Sequence, residues 1–415
     1  MKTIVLDDDP TGTQSAKGVS ALFETDADLL ARVLQTADSV YVQTNSRALA
    51  EREATALVAK IKSEGEVAAK LLNDEVRFVL RGDSTLRGHV FAESAVFMDD
   101  DAVLLFVPAF PDGGRTTRGG VHYVRVGDGE LPAHETEYAK DPVFGFSTAV
   151  LADYVAQKSG RPCLLVTLEQ VRGGGLVQIL AEAPAGAVVV PDVVNGGDVN
   201  AVAGAVNAGT RQVVVRCAAP LAAELAGVAS PGLLPTPLAD RPARALLVCG
   251  SHTLGASSQL APIERTWGAP AFVDTAAALN EPATAGFRAA RSVRERFAGK
   301  TLAILATERH RSLEHNTLSH GERVMTALTT AVASLLPEVD LVVAKGGITS
   351  AEVARVGIGA TSALVLGQIL PGVSLWQLAD RHGREVLYVV VPGNVGGPDT
   401  LARVLDALNI VVPSE

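Results

Sequence analysis

The chain has 415 residues, with 36 Lys and Arg against 46 Asp and Glu, so its formal net charge at pH 7 is −10. With no basic excess and only 4% aromatic residues, it is a poor match for a phosphate backbone or for stacked bases, and nucleic acid is not expected as a partner. The length favours two or three domains, and the apolar content of 47% is that of a globular protein.

Short apolar runs rich in Val, Leu and Ile recur along the chain, each followed by a polar or glycine-rich turn and a helical pattern. Continuous rather than alternating runs are typical of parallel strands buried on both faces. The predicted strands are Thr3–Leu6, Ser39–Val42, Arg77–Leu80, Val103–Val107, Cys163–Val166, Ala187–Val190, Gln212–Val215, Ala245–Cys249, Ala271–Val273, Leu302–Ala306, Leu341–Ala344, Ala363–Leu366 and Val386–Val391. The predicted helices between them include Ala27–Thr36, Glu51–Leu72, Thr148–Lys158, Ala283–Phe297 and Leu318–Leu336. This alternation predicts an α/β fold of two domains, each with a mainly parallel sheet flanked by helices.

The segment Val228–Arg244 interrupts the alternation, because it contains closely spaced prolines and little apolar periodicity. Proline-rich extended chain between compact segments is typical of a linker. The pattern predicts an N-terminal domain over 1–230, a linker over 231–243 and a C-terminal domain over 244–415.

The cysteines, the N-terminal segment and one uncharged stretch indicate where in the cell the protein is expected. Cys163, Cys217 and Cys249 are far apart and form no CxxC pair, which argues against a disulfide scaffold or a cysteine zinc cluster and favours the cytoplasm. The segment before Asp7 does not have the pattern of a signal peptide. The uncharged stretch Val356–Ala379 contains glycine, proline and glutamine, so we interpret it as buried core rather than a membrane span. No residue is assigned as a metal ligand.

Three carboxylates, Asp7, Asp8 and Asp9, follow the first predicted strand, and Thr11 and Gly12 stand in the same turn. Adjacent carboxylates repel one another, so we expect a cation, a donor-rich ligand or water to offset the repulsion. Ligands of open α/β sheets bind outside the carboxyl ends of the strands, which favours a functional site here. A solvated, acidic helix start is the alternative.

The turn after the third predicted strand combines arginines with a helix-capping sequence. Asp83 or Ser84 can cap the helix that follows, and Arg81 and Arg87 flank its N-terminus. Backbone donors and guanidinium groups together favour a carboxylate or phosphate, although a capped helix with surface arginines would have the same sequence. Arg47 and Arg115 follow neighbouring predicted strands, so the strand ends together predict a pocket for a small polyhydroxylated anion.

Glycine-rich turns follow three predicted strands of the second half. They contain Ser251, then Gly346, Gly347, Ile348, Thr349 and Ser350, and finally Gly393 and Asn394. Such turns present backbone N–H groups, which favours the phosphates of a nucleotide. No P-loop or dinucleotide fingerprint is present, because Arg294 stands where a P-loop ending at Lys300-Thr301 needs glycine, and Ser362 where Gly357-Ile358-Gly359 needs its third glycine.

Taken together, these motifs resemble the four-carbon acid sugar kinase family over nearly the whole chain. The matching segments are Asp8–Gly12, Asp83–Gly88, Pro108–Pro111 with Gly114–Arg115, Thr136–Gly145, Gly250–Ser251, Gly346–Ser350 and Pro371–Gly372. The resemblance implies an N-terminal acid-sugar domain, a C-terminal ATP domain and an active site in the cleft between them.

The resemblance also implies an ATP-dependent kinase that phosphorylates the terminal hydroxyl of erythronate, threonate or 3-oxo-tetronate, with Mg²⁺ bridging the ATP phosphates. The expected partners are the sugar acid and ATP, with no nucleic acid and no membrane, and a homodimer is left open. An aldonate-processing lyase or dehydrogenase and a non-catalytic sugar-acid sensor are the alternatives, and ATP binding would separate them from a kinase.

The expected roles follow from the motifs. Asp83 or Asp8 would orient the attacking hydroxyl as the base, and Arg87 would neutralise the substrate carboxylate or the transferred phosphoryl group. Substrate binding is predicted for Asp9, Thr11, Gly12, Arg47, Arg81, Ser84, Thr85, Gly88 and Arg115. ATP binding is predicted for Ser251, Gly346, Gly347, Ile348, Thr349, Ser350, Gly393 and Asn394.

Overall fold

The structure is a computed structural model that describes residues 1–127, 129–238, 244–297, 299–309, 318–393 and 395–410. The chain divides into two compact units, Met1–Ser230 and Pro231–Glu415, and each is described by itself. Among the described residues, no helix combines the length and the apolar character needed to cross a membrane.

The first unit is built on a parallel sheet. Its strands and those of a small second sheet are β1 (Lys2–Asp7), β2 (Val19–Leu22), β3 (Ser39–Gln43), β4 (Val76–Arg81), β5 (Val103–Val107), β6 (Arg115–Arg118), β7 (Val121–Val126), β8 (Gly129–Pro132), β9 (Cys163–Val166), β10 (Val188–Pro191) and β11 (Val213–Cys217). The parallel sheet has the order β2-β3-β1-β4-β11-β5-β10-β9. The predicted α/β architecture is confirmed, since apolar strands are buried between helices.

The helices of the first unit connect these strands. They are α1 (Ala27–Thr36), α2 (Glu51–Leu72), α3 (Val90–Ala95), α4 (Leu151–Ser159), α5 (Leu168–Arg172), α6 (Leu176–Glu182), α7 (Gly196–Ala208) and α8 (Ala219–Leu225). Short 3₁₀ turns at Pro10–Ser15 and Ser46–Ala48 follow β1 and β3. The order of the central strands therefore brings the chain after β1, β3, β4 and β11 to one edge of the sheet.

The small antiparallel sheet β6-β7-β8 is absent from the sequence prediction. The β6–β7 turn consists of Gly119 and Gly120, with φ of 57° and 72°, as expected for a tight hairpin. Both glycine N–H groups donate to the carboxylate of Asp192. Strand β6 reads Arg-Thr-Thr-Arg, and this lack of apolar residues explains why the apolar pattern did not reveal it.

The second unit has a mixed sheet. Its strands are β12 (Ala245–Cys249), β13 (Ala271–Val273), β14 (Leu302–Thr307), β15 (Leu341–Lys345), β16 (Ser362–Leu370), β17 (Val373–Ala379) and β18 (Glu385–Val391). Its helices are α9 (Leu254–Trp267), α10 (Thr275–Asn280), α11 (Pro282–Phe297), α12 (Leu318–Leu335), α13 (Gly347–Glu352) and α14 (Thr400–Ala407), with a π-helical turn at Val353–Ile358. The strands β13-β14-β12-β15-β18 are parallel, and β17 and β16 continue the sheet antiparallel.

Candidate active site

The charged cluster at the carboxyl end of β1 and β4 is centred on Arg81. This side chain is 1% exposed, and its Nη1 donates to a carboxylate oxygen of Asp7 at 3.0 Å, of Asp8 at 3.3 Å and of Asp9 at 3.0 Å. Its Nη2 donates to the hydroxyl of Thr11 at 3.2 Å. The repulsion among the three carboxylates is thus offset by a cation, as one of the expected possibilities had it, and this cation is the protein's own Arg81 side chain.

A second buried arginine, Arg216, completes the cluster from the neighbouring strand β11. Its Nη2 lies 3.2 Å from Asp8 Oδ2, and its Nη1 pairs with Glu93. The sequence prediction missed Arg216, although it directly follows a predicted strand, as the other site residues do. Two glycines make room for Arg216: a Cβ at Gly82 would lie 2.5 Å from its Nε, and a Cβ at Gly88 would lie 3.3 Å from its Nη2.

The carboxyl group of Asp7 is enclosed among polar partners. Gln43 Nε2, at the end of β3, donates to Asp7 Oδ2 at 2.9 Å, and a Cβ at Gly12 would collide with the same carboxylate. Burial raises the pKa of Asp7 to about 6, with Asp8 adding to the rise and Arg81 opposing it. Asp7 therefore keeps its proton to a higher pH than an ordinary aspartic acid does.

Asp83 is held by two arginines from different turns. Its Oδ1 lies 3.5 Å from Arg47 Nη1, and its Oδ2 accepts a hydrogen bond from Arg87 Nε at 2.8 Å. Thr85 donates its hydroxyl proton to the same carboxylate, and Arg47 also pairs with Asp9. Burial alone would raise the pKa of Asp83, but Arg87, Arg47 and Thr85 together hold it well below its usual range. Asp83 is thus a carboxylate at any physiological pH.

The turn that carries Asp83 is fixed by hydrogen bonds to its backbone. His122 Nε2 lies 2.8 Å from the carbonyl of Ser84, and its Nδ1 lies 3.1 Å from the hydroxyl of Thr117. Because a carbonyl only accepts, Nε2 carries the proton and Nδ1 accepts, and burial lowers the pKa of His122 to about 4. The hydroxyl of Tyr154 donates to the carbonyl of Leu86 at 2.8 Å, which steadies a residue whose φ of 67° is unfavourable for a leucine.

The accessible side of the cluster is formed by different arginines from the buried side. The side chains of Arg47 and Arg87 are 17% and 22% exposed, whereas those of Arg81 and Arg216 are almost completely buried. Arg87 lies 5.0 Å from the ring centre of Tyr138, and its Nη1 lies 3.8 Å from Asp141. An incoming anion can therefore meet Arg47 and Arg87.

The remaining predicted substrate residues lie around this group. Arg115 is 5% exposed, donates to the carbonyl of Gly113 and interacts with the Tyr138 hydroxyl. Asp141 is one of the matching residues of the segment Thr136–Gly145, and Tyr138 lies between matching residues of that segment, but the sequence analysis assigned neither to the site. The structure thus brings together all of the predicted catalytic and substrate-binding residues of the first unit, namely Asp8, Asp9, Thr11, Gly12, Arg47, Arg81, Asp83, Ser84, Thr85, Arg87, Gly88 and Arg115.

The glycine turns of the second unit follow three adjacent parallel strands. Cys249, Lys345 and Val391, the last residues of β12, β15 and β18, are in register. A Cβ at Gly346 would lie 3.1 Å from Ser251 Cβ, and one at Gly393 would lie 3.8 Å from Ser251 Oγ. The described parts of the three turns therefore converge.

Within the second turn, the predicted residues differ in accessibility. Gly346 has φ of 114° and precedes α13, which begins at Gly347. Ile348 is 52% exposed, whereas Thr349 and Ser350 are buried, and Ser350 Oγ donates to the carbonyl of Gly346 at 2.8 Å. Accessible backbone rather than these two hydroxyls would therefore meet a ligand. Asn394 lies outside the described residues.

Both units match family models. Residues 3–225 match the sugar-binding N-terminal domain and residues 246–401 the nucleotide-binding C-terminal domain. The chain belongs to the four-carbon acid sugar kinase family. We call the first unit the sugar-binding unit and the second the nucleotide-binding unit.

Similar proteins of this family include two named kinases. The chain is 28% identical to a D-erythronate kinase of Heliobacterium modesticaldum, over 86% of this chain and 79% of that protein. It is 29% identical to a D-threonate kinase of Bordetella bronchiseptica, over 90% of this chain and 87% of that protein. A solved structure from Haemophilus influenzae, 18% identical, superposes with a TM-score of 0.64 over 98% of this chain and 100% of that one, which supports the fold.

Proposed function

We propose that this protein is an ATP-dependent kinase that phosphorylates the terminal hydroxyl of a four-carbon acid sugar of the erythronate, threonate or 3-oxo-tetronate type. Relatives over most of the chain are named D-erythronate kinase and D-threonate kinase. The observation that carries the proposal is the Asp83 carboxylate between Arg47 and Arg87, because a negative group beside two accessible cations suits a hydroxylated anion.

Arg47 and Arg87 are the proposed receptors of the substrate carboxylate. A tetronate has few apolar atoms, so charge-assisted hydrogen bonds must supply most of its affinity, and the guanidinium fork matches a carboxylate in two bonds. Arg81 was predicted to bind substrate, but its donors are directed at the acidic turn. We therefore assign Arg81 the positioning of the acidic turn.

Asp83 is the proposed base. It is ionised, and its fixed oxygens can accept a hydrogen bond from the attacking hydroxyl and so orient it. Because Arg47 and Arg87 hold its pKa well below the usual range, it takes the proton only as the bond to phosphorus forms, and unlike Asp8 it lies beside the two partly exposed arginines. Asp8 was the other predicted base, but it is enclosed between Arg81 and Arg216. The role proposed for Asp8 is to fix these two guanidinium groups in place.

ATP is proposed to bind the turns at Ser251, Gly346–Gly347 and Gly393, where backbone N–H groups can meet the phosphates. Mg²⁺ would be carried on the phosphates of ATP. The acidic turn does not fit this ion, because Arg81 already donates to Asp7, Asp8 and Asp9. We also propose a cytoplasmic location, since the three cysteines are free thiols as in a reducing compartment.

The test is an ADP-release assay with Mg·ATP and a panel of erythronate, threonate and 3-oxo-tetronate stereoisomers. ADP formation that depends on one sugar acid, with a matching phosphorylated product by mass spectrometry, is expected. The Asp83→Asn variant provides the background rate. The proposal fails if the folded protein binds ATP but phosphorylates none of these acids, or if a tetronate reacts without consuming ATP.

A further inference from the structure

A buried lysine lies among the strand ends that carry the glycine turns. Lys345 is the last residue of β15 and is 0% exposed. Its Nζ donates to the carbonyl of Pro392 at 2.6 Å, and Pro392 directly precedes the turn at Gly393. The amine therefore lies beneath the turns, where it can act on a bound anion through space without touching it.

The described surroundings of Lys345 give its charge little compensation. The neighbouring acidic group is the Cys249 thiol of β12, whose own pKa is raised by burial, so it is uncharged at neutral pH. Arg309, which follows β14, lies 3.7 Å from that thiol and adds a second positive charge. From β18, the neutral Tyr388 hydroxyl donates to Ser350. A buried ammonium group without a carboxylate partner is costly.

On α13, the charged side chain is Glu352, which pairs with Arg355 at 3.1 Å and is 20% exposed. It is therefore engaged elsewhere. An anion on the three turns would supply the counter-charge that the described neighbours lack.

We infer that Lys345 is the buried counter-charge for the phosphates of ATP, and that ATP binding is accompanied by uptake of a proton from solvent onto this amine. The inference rests on the proposed function, since it needs ATP on the turns. Burial lowers the pKa of Lys345 to about 8 in the free protein. Bound phosphates favour the charged form and raise this pKa again, so a proton and ATP each strengthen the binding of the other.

The wild-type protein tests this inference without any substitution. Calorimetric titration with Mg·ATP at pH 8 in buffers of low and high ionisation enthalpy gives the number of protons taken up. About half a proton per ATP is expected, because a group with a pKa of about 8 is half neutral there. Between pH 7 and pH 9 the dissociation constant for ATP should rise about tenfold.

Lys345→Met identifies the group that takes up the proton. This variant should lose the uptake and the pH dependence and bind ATP at least about tenfold more weakly at pH 7, because a buried charge acts at low effective dielectric. Lys300→Met is the matched control, since Lys300 also donates to one backbone carbonyl, that of Trp267, and is not part of the turns. It should behave as the wild type.

Three outcomes overturn the inference: no proton uptake in the wild type at pH 8, an ATP affinity that is flat from pH 7 to pH 9, or an uptake that persists in Lys345→Met. If Lys345→Met does not fold, the two wild-type measurements decide alone. Failure of the proposed function gives different results. If the turns do not bind ATP, the wild type gives no binding heat at any pH or in any buffer. If the protein binds ATP but phosphorylates none of the acids, the ADP-release assay fails while proton uptake can still be measured.

Discussion

The loops at the strand ends differ between the two units in how their charged side chains are paired. In the sugar-binding unit, the carboxyl groups are already paired before any ligand arrives: Arg81 pairs with Asp7, Asp8 and Asp9, and Arg216 pairs with Asp8 and Glu93. In the nucleotide-binding unit, the described turns present backbone N–H groups, and Lys345 lies beneath them. Among the described residues, the Lys345 ammonium group has no carboxylate partner. The proposed sugar acid, with one carboxylate, would therefore meet a site whose charges are already paired, whereas the proposed ATP brings several negative charges that can compensate Lys345.

The largest effect expected from this comparison is at Asp83. Asp83→Asn removes the proposed base and should lower kcat by about 10²–10⁴-fold, with the thermal unfolding curve still cooperative. Steady-state kinetics with the best acid from the panel measure it. Asp141→Asn is the matched control, because Asp141 also faces Arg87 but does not hold the Arg47–Arg87 pair together. A loss below tenfold in a folded Asp83→Asn variant would rule out Asp83 as the base.

The next effect tests whether the acidic turn is balanced from within. Arg81→Met leaves Asp7, Asp8 and Asp9 without their shared donor, and breaking a buried pair of this kind costs about 3–5 kcal/mol of unfolding free energy. The cost should be smaller at pH 5 than at pH 8. The pKa of Asp7 is raised to about 6, so its neutral form, which needs no counter-charge, dominates below that pH.

Urea denaturation at both pH values measures this cost. Arg77→Met, on the same strand, is the control; Arg77 donates to Asn207 at an exposed position, and its loss should cost about 1 kcal/mol. Equal costs for the two variants would mean that another group compensates the acidic turn.

Asp83 and Arg81 also show how much of the site could be predicted from the sequence. Asp83 and Arg81 were found because they directly follow a strand whose apolar run is continuous, and the ends of such strands are where α/β proteins bind ligands. Arg216 was missed because its proximity to Arg81 follows from the strand order β4-β11, and no local pattern specifies which strands are neighbours. His122 and Tyr154 were missed for the same reason.

The fold shows the same division between local and long-range information. Val103–Val107 and Ala245–Cys249 have the predicted bounds, since strands covered on both faces have uniformly apolar sequences. Strand β17, at Val373–Ala379, was missed within the uncharged stretch Val356–Ala379. There strands β16 and β17 are antiparallel neighbours joined at Gly372, and the stretch gave no charged residue to separate them.

A smaller effect is expected from substitution of Arg87, on the accessible side of the cluster. Arg87→Lys keeps the charge but loses the planar fork, so KM for the sugar acid should rise by about one to two orders of magnitude, while KM for ATP stays unchanged. If Arg87 instead stabilises the phosphoryl group in transfer, kcat falls and both KM values remain near those of the wild type. No change in any parameter would remove Arg87 from the anion site.

The smallest effect is expected at the glycine turns, where the ligand meets backbone rather than a charged pair. Gly346 has φ of 114°, a conformation that valine adopts only with strain. Its added Cβ would lie 3.1 Å from Ser251 Cβ and 3.2 Å from Thr349 Oγ1. Gly346→Val should therefore displace the turn and weaken ATP binding about tenfold, a loss of about 1.4 kcal/mol, while sugar-acid binding is spared.

Calorimetry with ATP and with the sugar acid separates the two sites in this variant. Gly299→Val is the matched control, because Gly299 has φ of 73° and open space around the added Cβ. Backbone strain of about 1–3 kcal/mol should lower the stability of both variants, but only Gly346→Val should change the affinity for ATP. If the two variants bind ATP equally well, the positive φ of Gly346 is needed for folding but not for ATP binding. The phosphates must then be held by other groups, and the contrast between a charge-balanced sugar site and a backbone-built nucleotide site would be wrong.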